Sequence, residues 1–95
     1  ASAFVKGIQG DELKEGVLAT AKHFAGHGIT EGGLNMGRNI VSERDMREIH
    51  CKPFQCAITE AGLKSVMNSY CSVNGEPVVG SKKMWRNGIS GFCGF

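Results

Sequence analysis

The chain is 95 residues long, 41% hydrophobic and 21% charged with only two prolines, the composition of a small globular domain and not of a disordered chain. Eleven Lys and Arg against nine Asp and Glu leave a net charge of +2, too weak a field to steer nucleic acid or an anionic membrane. No apolar run approaches the roughly 20 residues that cross a bilayer, so neither a nucleic-acid nor a membrane partner is expected.

In chain order, the opening "ASAFVKGIQGD" has no initiator Met and no basic stretch leading into an apolar one. No secretion signal is visible, and the true start reads as removed by processing or truncation. Phe4, Val5 and Ile8 fall at helical spacing over Ala3–Gln9, with Gly10 as the stop. Gly16–Phe24, holding Val17, Leu18, Ala19 and Ala21, is short enough for a strand buried on both faces. From Gly26 to Gly37 there is no periodicity, which predicts a loop.

Ser42 opens the longest helical pattern. Its hydroxyl suits an N-cap, Glu43 suits the positive end of the helix dipole, and Asp45 stands where a capping-box acid reaches back. Met46, Ile49, His50, Pro53, Phe54, Ala57, Ile58 and Ala61 form one stripe; Pro53 predicts a kink or break, and Gly62 the end. "KSVMNSY" over Lys64–Tyr70 reads as a second strand, "VNGEP" as a turn, Ser81–Asn87 as a short helix, and "GISGFCGF" as the onset of another strand.

Helix and strand alternate, which predicts an α/β fold with a parallel sheet. Two strands of such a sheet leave edges unpaired and faces uncovered, so the chain reads as a piece of a larger domain with weak or no independent folding. None of Cys51, Cys56, Cys71 and Cys93 stands in a Cys-x-x-Cys pair, and small buried thiols are the reading preferred over a disulfide framework. His23, His27 and His50 also miss metal-ligand spacing, so no metal and no cofactor is expected. Gly26, Gly28, Gly32 and Gly33 lack the Gly-Lys-Ser/Thr of a phosphate loop.

Ligands of α/β sheets sit at the carboxyl ends of the strands. Here those ends are Lys22-His23 and Asn68-Ser69-Tyr70, whose polar groups cost free energy if buried unused. A sugar suits them, because its hydroxyls both donate and accept, Lys donates, and neutral His does either. Strand alternation would send Lys22 and His23 to opposite faces, so service to one ligand requires irregular backbone at that point. His27, Glu31 and Asn35 are further loop candidates whose default is solvation. Cys71, with nothing local to lower its pKa, reads as inert packing.

"AKHFAGHG", "EGGLN", "SERDMREIHCKPFQCAITEAG", "SVMNSYCSVNGEP" and "GFCGF", in that order from about Phe4 to Phe95, resemble the N-terminal domain of glycoside hydrolase family 3, the β-glucosidase and β-xylosidase family. The resemblance implies an α/β fold that is a fragment of a (β/α)8 TIM-type barrel, about two complete βα units, with residues 1–95 a part of that domain truncated at both ends. It implies a retaining exo-acting β-glycosidase whose partner is a β-linked oligosaccharide or an aryl or alkyl β-glycoside. By motif, Lys22 and His23 would hold hydroxyls of the terminal sugar, and Met67 and Tyr70 would line its subsite. The nucleophilic Asp is expected a few residues past Phe95 and the acid/base carboxylate in a later domain, so no catalytic residue is expected here and the fragment alone should be inactive.

Cys93 departs from the family's usual Asp, and "KKMWRNGIS" is a loose version of its Leu-rich helix. "ITEGGLNMG" lacks the Asp-x-His-like pair of the N-acetylglucosaminide branch. The "AGHGITEGGLN" loop resembles β-glucosidases, which makes β-glucosidase the preferred reading. The alternatives are a β-xylosidase of the same family and a non-catalytic, degenerate or carbohydrate-binding homologue.

Overall fold

The computed structural model describes residues 1–90, so the closing "GFCGF" with Cys93 lies outside the described residues. Helix α1 spans Ser2–Gln9 and ends at Gly10 as expected, burying Val5 and Gln9. Strand β1 covers Thr20–Phe24 and begins later than the apolar run suggests. Val17 and Leu18 are 68% and 54% exposed, not buried on both faces. The Val17 amide bonds the Ile8 carbonyl at 3.0 Å, which ties this stretch to the end of α1 and not to a neighbouring strand. The segment from Gly26 to Gly37 is a loop with two short 3-10 turns, His27–Ile29 and Glu31–Gly33.

Strand β2, Arg38–Asn39, was not legible as a strand. Helix α2, Glu43–Asp45, opens where Ser42 Oγ accepts the Asp45 amide at 3.0 Å, then widens into a π-type turn over Met46–His50. The Cys51 amide reaches the Met46 carbonyl at 2.8 Å, and α3 restarts over Lys52–Ala61. Pro53 thus sits in the first turn of a new helix, where its missing N–H costs nothing. The wide turn also corrects the apolar stripe: Ile49 is 59% exposed, and Cys51, at 6%, faces inward beside Met46 and Phe54. Gly62 closes α3 with φ 66, a left-handed cap in which the Leu63 amide bonds the Ala57 carbonyl at 3.1 Å.

Strand β3, Ser65–Asn68, pairs parallel with β1, and α2 and α3 make the crossover between them. The expected turn at "VNGEP" is a hairpin of β4, Ser72–Val73, and β5, Glu76–Pro77, with Asn74 at φ 49 and Gly75 at φ 87 as a two-residue turn requires. β2 pairs parallel with β4, making a second, three-stranded sheet. The last helical segment is Lys83–Ser90, later than expected, so Gly88–Ser90 continue a helix instead of opening a strand.

The described residues therefore form a mixed helix-and-sheet, α/β arrangement around two apolar clusters. In one, fully buried Phe24 meets Phe54 edge-on at 5.1 Å and Trp85 at 5.6 Å, above Met46, Cys51 and Ile89. In the other, Val5, Ala57 and Leu63 join α1 to α3 under β1. Cys51, Cys56 and Cys71 are free thiols, the first and last of them buried. No helix among the described residues is long and apolar enough to cross a membrane.

Candidate functional site

The carboxyl end of β1 is where the sheet becomes irregular. Between the pairs Ala21↔Val66 and Phe24↔Asn68, β1 carries one residue more than β3, a bulge that interrupts the alternation of side chains. Lys22 and His23 are the residues in that bulge, and the Lys22–His23 and Phe24–Ala25 peptide bonds are cis. The backbone at this point is therefore irregular, as the sequence predicts. Lys22 is exposed, His23 half-buried and Phe24 fully buried, so the strand delivers two polar groups to the surface from a residue anchored in the core.

Met67 lies on β3 between the two paired positions, level with the bulge, and is half-buried. Tyr70, just past the end of β3, is 52% exposed. The four candidate residues thus gather at the carboxyl ends of two adjacent parallel strands. His27 from the following loop brings its ring to 4.3 Å from that of His23, tilted by 39°. Partial burial lowers the His23 pKa from its ordinary value, and the charges of His27 and then Lys22 lower it further. The neutral imidazole, which can accept from a hydroxyl, is thereby favoured.

The other loop candidates are engaged elsewhere or simply solvated. Glu31 pairs with Arg38 at 2.6 Å, a bond that raises the Arg38 pKa, and Asn35 is exposed. No cluster of three or more metal-ligating side chains occurs among the described residues. An open apolar cavity of about 570 Å³, lined by Phe4, Ile8, Val17, Leu18 and Phe54 among others, touches Lys22 but not His23, Met67 or Tyr70.

The glycosyl hydrolase family 3 N terminal domain is matched over residues 1–95. The chain belongs to this family. A family 3 relative, a β-xylosidase from Formosa agariphila, is 43% identical over 79 residues, with 79% of this chain and 11% of the β-xylosidase covered. An exo-1,3/1,4-β-glucanase from a Pseudoalteromonas species has a solved structure similar at TM-score 0.89 and 38% identity, covering 99% of this chain and 16% of that one. A β-glucosidase from Listeria innocua, solved in complex with glucose, is similar at TM-score 0.90 and 33% identity, covering 99% of this chain and 14% of that one. The chain therefore spans a small part of the length of its family 3 relatives.

Three buried residues that the sequence does not connect meet next to the Lys22–His23 bulge. Asn39, Ser69 and Cys71 are 1%, 0% and 1% exposed and bond one another and the backbone just after the Lys22–His23 bulge. Their signal is weak in the sequence: Asn39 falls between the loop ending at Gly37 and the helix opening at Ser42, where no element is predicted, and Cys71 reads as packing alone.

Proposed function

We propose that residues 1–95 are part of the (β/α)8 barrel domain of a retaining, exo-acting β-glycosidase that removes terminal non-reducing β-D-glucosyl residues. The observation that carries this reading is the bulged end of β1, where Lys22 and His23 emerge beside Met67 and Tyr70 at the strand ends that barrels use for ligands. In this reading Lys22 donates to sugar hydroxyls, neutral His23 accepts from one, and Met67 and Tyr70 line the subsite. The substrate is a β-linked oligosaccharide or an aryl or alkyl β-glycoside. Retention needs two carboxyl groups about 5–5.5 Å apart. We place the nucleophile past Phe95 and the acid/base in a further domain, so these residues bind and orient the sugar while other parts of the protein supply the carboxylates.

The similarity to a β-glucosidase solved with glucose supports the glucoside reading. The β-xylosidase from Formosa agariphila, the most similar in sequence of the three relatives, favours β-xylosidase as the second. The complete protein, assayed with p-nitrophenyl β-D-glucoside and β-D-xyloside, is expected to prefer the glucoside and to release the β-anomer first by NMR. A preference for the xyloside would select the second reading, and no turnover of either would sink both. Lys22→Met should then lower kcat/KM about 10- to 100-fold, the worth of a charged hydrogen bond of about 1.5–3 kcal/mol. Unchanged kinetics in that variant would remove Lys22 from the site.

A further inference from the structure

We infer that Asn39, Ser69 and Cys71 form a buried positioning device that holds the Lys22–His23 bulge and Tyr70 in fixed relation; this rests on the proposed glycosidase reading for its functional meaning. The β1–β3 ladder ends at the Phe24↔Asn68 pair, whose last bond runs from the Ser69 amide to the Phe24 carbonyl, and the Ala25 and Gly26 carbonyls beyond it need other partners. The Ser69 amide donates to the Phe24 carbonyl at 2.7 Å, and Ser69 Oγ donates to the Ala25 carbonyl at 2.8 Å. Asn39 Nδ2 donates to the Gly26 carbonyl at 3.1 Å and to Cys71 Sγ at 3.2 Å. Cys71 Sγ lies 3.2 Å from Ser69 Oγ and 3.4 Å from the Ala25 carbonyl. The two carbonyls beyond the ladder are thus held by side chains of the cluster, that of Gly26 together with the Ile29 amide at 3.3 Å.

The same cluster sets the other wall of the site. Ser69 and Cys71 are both buried and anchored, so the residue between them, Tyr70, is turned outward, where it is 52% exposed. A displacement of the cluster moves Tyr70 and the bulge together. Gly26 completes the fit: it sits at φ 86, and a Cβ there would come within 2.8 Å of Asn39 Nδ2. A side chain at that position would push Asn39 off the carbonyl it holds.

Ser69→Ala and Asn39→Leu, made in the complete protein, keep approximate volume while removing donors. If the cluster only fills space, both leave the site as it was. If it positions the site, each lowers kcat/KM for p-nitrophenyl β-D-glucoside about 10- to 100-fold, the cost of a misplacement of about 1 Å, with most of the loss in kcat. Unchanged kinetic constants in a folded Ser69→Ala protein overturn the inference, and this variant decides should Asn39→Leu not fold. The His23 imidazole NMR signals provide a readout that does not need turnover. They should move in Ser69→Ala and stay in place in Thr59→Ala, whose exposed side chain bonds only within its own helix. Unmoved signals in Ser69→Ala also overturn it. A wild-type protein without β-glycosidase activity would defeat the proposed function instead, leaving the His23 signals to decide the positioning role.

Discussion

His23 titrates below the ordinary histidine value of 6.5 because partial burial disfavours the imidazolium first, and the nearby charges of His27 and Lys22 disfavour it further. Replacing His27 with Gln removes one of these charges and opens the face of the ring, so the His23 midpoint should rise towards 6.5. A histidine-selective NMR titration measures it directly, and an unchanged midpoint would show that His27 does not set the charge of its neighbour. The sign of the linkage follows from the direction. The unfolded chain binds the proton more readily, so stability is full above pH 6.5 and declines as pH falls through the window between 6.5 and the lowered folded value. In the proposed reading, sugar affinity that depends on the neutral ring weakens over the same window, and in His27→Gln that weakening should begin at higher pH. Lys22 and His23 were legible as candidates because a cation and an imidazole closing an apolar run are unusual. His27 was a candidate too, but its contact with the His23 ring was not legible, since a His in a Gly-rich loop is solvated by default and nothing in its spacing to His23 specifies contact.

At the level of elements, what was readable is what is decided within a few residues. Ser42 caps α2 through the Asp45 amide, Pro53 coincides with the helix restart, and Gly62 takes the left-handed cap. Ser42→Ala should cost about 1 kcal/mol, within the roughly 0.5–2 kcal/mol span of N-cap losses, measured by denaturant unfolding of the complete protein. A loss near zero would mean that the packing of Met46 and Phe54, not the cap, holds this helix start. What was not readable depends on partners distant in sequence. Strand β2 is two residues long and has no pattern of its own. It is defined by its ladder to β4 and by Asn74, whose side chain accepts the Val41 amide at 3.1 Å and donates to the Val41 carbonyl at 2.6 Å. Ile49 carried the right spacing for the buried stripe but the wrong rotation, because the π-type turn shifts every residue after Asp45 relative to a regular helix.

For the molecule as a whole, the misplaced start of β1 is the most informative error. Val17 and Leu18 read as buried because they are apolar, yet they are exposed, as is Phe4 at 71%, and together they line the open cavity of about 570 Å³. The main sheet has two parallel strands among the described residues, each with an unpaired edge. Parallel sheets are stable when both faces and both edges are covered, and a pair of strands with one helical layer meets neither condition. The shape agrees: the radius of gyration is 13.7 Å with extents of 41 × 25 × 21 Å, against about 12 Å for a compact domain of this length. Burial in the two small clusters around Phe24 and Leu63 must then offset a conformational entropy cost of about 1–2 kcal/mol for each ordered backbone residue, which in small scaffolds leaves a balance near zero. The isolated 95-residue chain should therefore show a broad, weakly cooperative thermal change by circular dichroism and bind a dye that reports exposed apolar surface. A sharp two-state transition without dye binding would mean that the two clusters suffice, and that the exposed Phe4, Val17 and Leu18 are tolerated surface and not a face shaped to pack on further protein.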